Sequence, residues 1–235
     1  MNTDDAFFCS PYLTQLKSRF DALYHEAVQG DIATIITREC MTLPHYTTQA
    51  ELMKLLRVAK CKLALLVAMA DMSGQFSLER VTGALSDFAD YVISKTLDFL
   101  LYQAAERGEL TLNNTAEPSV ESGIIILGMG KLGAHELNYS SDIDLIIFFE
   151  KNVLAHSSKR GEQHRMNKIA QDLVHILQER TVDGYVFRTD LRLRPDPAST
   201  PPAINTIAAM HYYESVGQNW ERAAMIKARP VAGDL

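Results

Sequence analysis

Residues 123–149 constrain this chain more than any other stretch. An apolar run, Ile124 to Leu127, enters Gly128-Met-Gly130-Lys-Leu-Gly133, and nine residues later a second run, Ile143 to Phe149, opens behind Asp142 and carries Asp144. Short apolar runs bounded by turn signals read as buried strands. Side chains at i and i+2 on a strand share a face. Asp142 and Asp144 are therefore expected to project together, beside backbone N–H groups freed by the glycines. Paired hard oxygen ligands suit Mg²⁺, and a nest of N–H groups suits phosphate.

The same glycines match the dinucleotide fingerprint G-x-G-x-x-G, with Glu150 placed where a ribose-binding acid sits. That reading fails on length. A Rossmann unit needs a crossover helix between its strands, and the nine residues before Ile143 include Ser140-Ser141-Asp142. The stretch is not a Walker A loop either, because no Gly-Lys-Ser/Thr follows four spacers.

A third acid completes a two-metal pattern. From Tyr185 to Leu193 the residues alternate, which predicts a strand whose polar face holds Asp190, Arg192 and Arg194. Asp142, Asp144 and Asp190 are the candidate catalytic and metal-binding set. Gly128, Gly130, Lys131, Ser140, Ser141, Arg192 and Arg194 are the candidate nucleotide- and phosphate-binding residues. Charge balance for the aspartates is the plainer role for the three basic groups, and capping the turn is the plainer role for the serines. His135 and His211 read as structural. Trp220 and the Tyr212-Tyr213 pair read as packing residues rather than a base-stacking platform.

Around this stretch the chain is helical. Apolar spacing predicts one helix over 12–28 ended by Gly30, a short one from Ile32 capped by Asp31, and a long one after the capping box Thr48-Gln-Ala-Glu51. Lys54, Arg57, Lys60 and Lys62 are expected on the solvated face of the third. Ser77 is expected to cap a fourth helix that Gly108 stops. Residues 113–122 are polar and carry Pro118, so the boundary between a helical region (1–118) and a catalytic domain (119–235) is placed there. Beyond the second apolar run the expectations are a loop over 156–160, a helix over 164–180, a turn at Asp183-Gly184, a proline-stiffened loop, and helices over 206–216 and 218–229.

Composition narrows the class. Length 235 allows one or two domains, and a net charge of −6 argues against a general nucleic-acid binder. Cys9, Cys40 and Cys61 lack metal-ligand spacing and read as reduced thiols of a cytoplasmic protein. The acidic first residues exclude a signal peptide of the usual form, and Ala64 to Ala70 is too short to span a bilayer. The last residues follow a helical stretch with no finishing element, which is expected of a truncated chain.

Four motifs together resemble a known family. They are Gly128-Met-Gly-Lys-Leu-Gly, Glu136-Leu-Asn-Tyr-Ser-Ser-Asp-Ile-Asp-Leu-Ile, Asp190-Leu-Arg-Leu-Arg-Pro, and His211-Tyr-Tyr-Glu followed by Gln218-Asn-Trp-Glu-Arg-Ala-Ala-Met-Ile-Lys-Ala-Arg. In order and content they resemble the bifunctional glutamine synthetase adenylyltransferase/adenylyl-removing enzymes. Ala134-His135 departs from that pattern, outside the acid set. The resemblance implies an α+β nucleotidyltransferase domain of the DNA polymerase β type, with a helical N-terminal layer and C-terminal helices. It implies Mg²⁺ as cofactor, glutamine synthetase as protein substrate, ATP, ADP and phosphate as small ligands, and a PII signal protein as regulator. Neither nucleic acid nor membrane is implied as a partner. Trp220-Glu-Arg and Ile226-Lys-Ala-Arg resemble the half that removes AMP by phosphorolysis. Forward AMP transfer and a docking fragment without turnover are the alternatives.

Overall fold

The structure, a computed structural model, describes residues 9–156 and 161–234. The first eight residues, expected as a loose terminus, and residues 157–160 of the expected loop lie outside the described residues. Two compact units are present, Met1–Phe88 with Arg180–Val186, and Ala89–Glu179 with Phe187–Leu235.

The first unit is helical: α1 (Pro11–Arg19), α2 (Asp21–Gln29), α3 (Ile32–Cys40), α4 (Gln49–Met72) and the start of α5 (Leu78–Glu106). The single helix expected over 12–28 is two. Phe20 leaves helical geometry at φ −123°, ψ 44°. The break re-phases the apolar stripe, so that Leu16 on one side and Leu23, Tyr24 and Ala27 on the other are all buried. Asp31 caps α3 as expected, its carboxylate accepting from Thr34 N–H at 3.0 Å. The capping box of α4 closes in both directions: Thr48 Oγ1 accepts from Glu51 N–H at 3.2 Å, and Glu51 Oε2 accepts from Thr48 N–H at 2.9 Å. N–H groups of Thr47 and Thr48 hold the Glu51 carboxyl down at about 2.

Leu52, Leu56, Leu63 and Leu66 of α4 are fully buried, each contributing about 1.5–3 kcal/mol over an exposed position. Of the basic residues between them, Lys54 is exposed as expected, Lys60 and Lys62 are half-buried, and Arg57 departs from the expected solvated face. Arg57 is fully buried. Its Nε donates to Gly184 O at 3.0 Å and its Nη1 to Met53 O at 2.8 Å. Gly184 belongs to the predicted Asp183-Gly184 turn, closed by Thr181 N–H on Gly184 O at 2.9 Å and Gly184 N–H on Thr181 O at 3.0 Å. Lys62 donates to Glu39 at 2.6 Å. Ser77 Oγ caps α5 by accepting from Arg80 N–H at 3.4 Å, and Gly108, at φ +67°, follows the helix end.

The second unit holds the sheet. Short strands β1 (Leu110–Thr111) and β4 (Ala155–His156) pair antiparallel. The polar stretch between β1 and the next strand is tied down rather than free. Asn113 Nδ2 donates to Glu121 O at 2.7 Å, and Asp98 accepts from Ser119 N–H at 3.1 Å. Strands β2 (Ile124–Gly128) and β3 (Ile143–Phe149) fall on the two apolar runs and pair antiparallel, from Ile124 opposite Phe149 to Gly128 opposite Leu145. Antiparallel pairing disposes of the Rossmann reading, whose first two strands are parallel. The one-turn helix α6 (Gly130–Gly133) lies between them, and α7 (Glu162–Gln178) buries Ile169, Leu173, Ile176 and Leu177 as its periodicity predicted.

Three sequence expectations need correction here. The strand expected over 185–193 is only β5 (Thr189–Asp190), and Arg192 lies in the turn after it. A second short strand, β6 (Ala203–Asn205), went unpredicted. Both run parallel to β3 on one edge, β5 beside Ile143–Asp144 and β6 beside Ile147–Phe149. The helix expected over 206–216 is α8 (Thr206–Ser215), but that over 218–229 is α9 (Asn219–Ala224), a 3₁₀ turn (Met225–Lys227) and then β7 (Arg229–Gly233). Strand β7 pairs antiparallel with β2, with a register shift between Ile126 and Leu127. The result is a mixed α+β unit whose main sheet runs β5-β3-β2-β7. Among the described residues no helix is long and apolar enough to cross a membrane.

Candidate active site

The site grows from the end of β2 and the start of β3. Met129 N–H donates to Asp144 O at 2.9 Å, which fastens the glycine turn to the head of β3. Gly130 sits at φ +55°, and a Cβ there would stand 3.2 Å from Asp144 Oδ2. Gly133 is required for a different reason. A Cβ on it would lie 1.7 Å from Lys227 O and 2.5 Å from Gly128 O, so two backbone segments pass where a side chain would go. Gly128 ends β2.

The connection from α6 to β3 folds on itself. Ser141 Oγ donates to Asn138 Oδ1, and Lys131 Nζ approaches the same oxygen at 3.5 Å. Ser140 is held at φ +57°, a left-handed conformation uncommon for a serine. Lys131 and Ser140 are exposed, and Ser141 is half-buried.

The parallel pairing of β3 with β5 puts Asp144 directly opposite Asp190. Asp142 stands just ahead of β3 and is exposed. The three acids are therefore brought to one end of the sheet, and their electrostatics show it. Burial, then the neighbouring carboxylates of Asp190 and Asp142, push the Asp144 carboxyl up. Asp190 moves the other way, because the Arg192 side chain hydrogen-bonds it and holds it down. Arg192 Nε lies 2.8 Å from Asp190 Oδ2, its Nη2 2.5 Å from the same oxygen, and its backbone N–H 2.7 Å from Oδ1.

Asp142 is engaged by Arg188, a residue that went unselected in the sequence. Arg188 Nε donates to Asp142 Oδ1 and its Nη2 to Ser140 O at 2.9 Å. The signal for it was present: Arg188 and Arg192 flank Asp190 at two residues on either side. Three carboxylates are the right donor chemistry for a hard divalent cation. Yet among the described residues no group of three or more His, Cys, Asp and Glu is arranged to hold a metal ion. The acids are assembled at one place, with two of them closed onto arginines.

The remaining residues considered in the sequence are placed as follows. Arg194 is turned into its own loop, donating to Leu191 O at 2.8 Å, Pro197 O at 2.9 Å and Thr200 O at 3.2 Å. Trp220, expected in packing, is 55% exposed. Tyr212 donates its hydroxyl to the buried Glu221 at 2.9 Å. Glu221 also accepts from Gln218 N–H at 2.7 Å in the capping box of α9. His135 and His211 are both exposed.

Comparison with known proteins shows the family of the chain. Residues 7–235 match the family model described as glutamate-ammonia ligase adenylyltransferase. A bifunctional glutamine synthetase adenylyltransferase/adenylyl-removing enzyme of Agrobacterium fabrum is 47% identical over 98% of this chain and 24% of its own length. The enzyme of that name from Rhizobium meliloti is 55% identical over 79% of this chain and 19% of its own length. The one from Xanthobacter autotrophicus is 50% identical over 84% and 20%. The chain thus spans about a quarter or less of the length of these curated relatives. On a match across nearly its whole length, the chain belongs to the glutamate-ammonia ligase adenylyltransferase family.

Proposed function

We propose that this chain is a nucleotidyltransferase domain of the DNA polymerase β type that removes AMP from a tyrosine of adenylylated glutamine synthetase by phosphorolysis. The observation that carries the reading is Asp144 in register with Asp190, with Asp142 close enough to raise the Asp144 carboxyl, all beside a glycine turn fastened to the same strand. The names of the relatives cover both attachment and removal of AMP. Removal is favoured by the Trp220-Glu-Arg and Ile226-Lys-Ala-Arg sequences, which resemble the removing half.

In this reading an oxygen of inorganic phosphate attacks the AMP phosphorus. The bond from that phosphorus to the tyrosine oxygen breaks, ADP forms, and the tyrosinate takes a proton from water. Asp142, Asp144 and Asp190 would hold Mg²⁺, which supplies charge neutralisation for the attacking and leaving oxygens of such an in-line displacement. Gly130 leaves room beside Asp144, where a Cβ would stand 3.2 Å from its Oδ2. Arg192 is an exposed cation on Asp190, and Lys131 is an exposed cation in the glycine turn; both are suited to orienting phosphate groups. Arg194 supports the loop that follows Asp190. The setting is a cytoplasmic regulator of nitrogen assimilation under a PII signal protein.

The test mixes the chain with adenylylated glutamine synthetase, phosphate and Mg²⁺ and follows ADP. Release that needs phosphate and falls by about 100-fold or more in Asp142→Asn and Asp144→Asn is expected, since several kcal/mol of charge stabilisation is removed. Pyrophosphate made from ATP on unmodified glutamine synthetase, with no ADP from phosphate, would replace this reading with AMP attachment. Neither product from folded chain would leave a docking role.

A further inference from the structure

The glycine turn is folded as α6, four residues long. A helix of one turn cannot hold itself, because nucleation is unfavourable and its last carbonyls have no partner within it. Its shape is therefore set by what grips it. In front, Met129 N–H is bonded to Asp144 O at 2.9 Å. Behind, the grip comes from Arg229, which ends the fourth sequence motif and stands opposite Gly128 at the start of β7. Arg229 Nε donates to Gly133 O at 3.3 Å and its Nη2 to Leu132 O at 3.1 Å. A cation on the last carbonyls of a helix is favoured by both hydrogen bonding and the dipole. The other edge of the same guanidinium is taken by Asp90 of α5: Nη1 donates to Oδ2 at 2.6 Å and Nη2 to Oδ1 at 3.2 Å. Asp90 and Arg229 both belong to the second unit and are half-buried. The planar fork thus joins α5, the start of β7 and the back of the glycine turn. Lys227, two residues earlier, adds a contact from its Nζ to Glu136 at 3.0 Å.

We propose that Arg229, itself oriented by Asp90, is a positioning residue for the transfer: it fixes the glycine turn against the head of β3, and so sets where phosphate is held relative to Asp144. The proposal rests on the phosphorolysis reading, in which the N–H groups of the turn face phosphate. It has a signature that a purely structural role lacks. If Arg229 only helped the chain to fold, its loss would lower the folded fraction, which reduces apparent kcat and leaves every KM where it was. If it only held β7 on the sheet, its loss would loosen β7 and spare the turn. A positioning role loosens the turn and raises the KM for phosphate, with the KM for adenylylated glutamine synthetase unchanged.

The experiment compares the 235-residue wild type with Arg229→Met, Arg229→Lys and Asp90→Asn in two measurements. The first is amide hydrogen exchange of Met129, Gly133 and Ala134, whose N–H groups are bonded to Asp144 O, Met129 O and Gly130 O. The second is the rate of ADP release as phosphate is varied. In Arg229→Met, exchange at the three amides and the KM for phosphate are each expected to rise about 10-fold, the size of hydrogen bonds from a charged donor, while residues 145–149 stay protected. Arg229→Lys keeps the charge but not the fork and should fall between. Asp90→Asn should raise both by about 3-fold, since it leaves the arginine in place without its charged partner. It decides the matter if the methionine variant does not fold, and an Asp90→Asn chain identical to wild type then overturns the proposal. A folded Arg229→Met chain with an unchanged turn, with exchange raised in β7 alone, or with an unchanged KM for phosphate also overturns it, and the phosphorolysis reading stands so long as the wild type makes ADP. A wild type that makes no ADP overturns the reading and the proposal together.

Discussion

In the helical unit Arg57 is wholly buried and donates to two carbonyl oxygens, whereas in the sheet-bearing unit Arg188 and Arg192 are 55% and 84% exposed and lie against carboxylates. A buried guanidinium bonded to backbone is costly to disturb, because its partners cannot turn to water instead. An exposed one bonded to a carboxylate is cheap to disturb, because water and ions take over. The same residue type is therefore a buried fastener in one unit and an exposed partner of carboxylates in the other. Helix α4 and the turn at 181–184 need each other to be as they are.

That contrast can be broken by substitution. The largest effect belongs to the sheet-bearing unit and to shape rather than charge. Gly133→Ala would drive a methyl into Lys227 O and Gly128 O, and a loss of about 3 kcal/mol or more is expected, read as a fall in the urea midpoint together with lost Mn²⁺ binding. An unchanged midpoint would mean that the backbone at Lys227 does not pass so close. Next comes Arg57→Leu, with a loss of about 2–3 kcal/mol as hydrogen bonds from a charged donor disappear. Mn²⁺ affinity of the folded chain should stay the same. A change in that affinity would show that the helical unit's charge also serves the acid cluster, which would erase the distinction.

The smallest effect concerns Lys60 and pH. Burial pushes its ammonium down to about 8, and its Nζ lies 5.8 Å from the centre of the Phe88 ring. Between about pH 8 and an unfolded value of about 10.4, the unfolded chain binds more protons than the native one, so stability rises with pH in that window. Below it the penalty of holding the charged form is fully present. Lys60→Met should therefore be more stable than the wild type at pH 7, by on the order of 1 kcal/mol, and the advantage should fade by about pH 10.4. Thermal melts of the two proteins across pH 7–10.5 check it; a constant difference would show that Lys60 does not titrate in the fold.

Legibility in the sequence followed the range of the interactions. The capping box at Thr48, the Asp31 cap, the ends of β2 and β3, and the stripe of α7 are local patterns, and each stands where its residues predicted. Arg57 was misplaced because its burial depends on a turn more than a hundred residues away. Strand β7 was missed because Arg229-Pro-Val-Ala-Gly is a poor strand sequence by propensity. It is extended because β2 offers an edge, and Pro230 is accommodated beside the register shift. Within the site, the glycine turn and the three acids could be read as i, i+2 spacing and apolar context. The closure of Asp142 by Arg188 could not, since it requires knowing that β5 lies parallel to β3.

The late position of β7 also sets a clock. Strand β2 is made early, pairs with β3 across a short connection, and then waits for its other neighbour. One hundred residues separate Gly128 from Arg229. At about 5–20 residues per second, a ribosome takes roughly 5–20 seconds to deliver them. Throughout that interval one flank of Ile124–Gly128 has no strand beside it, and such a flank can recruit another nascent chain. Any cut of the polypeptide before residue 229 would make that interval permanent.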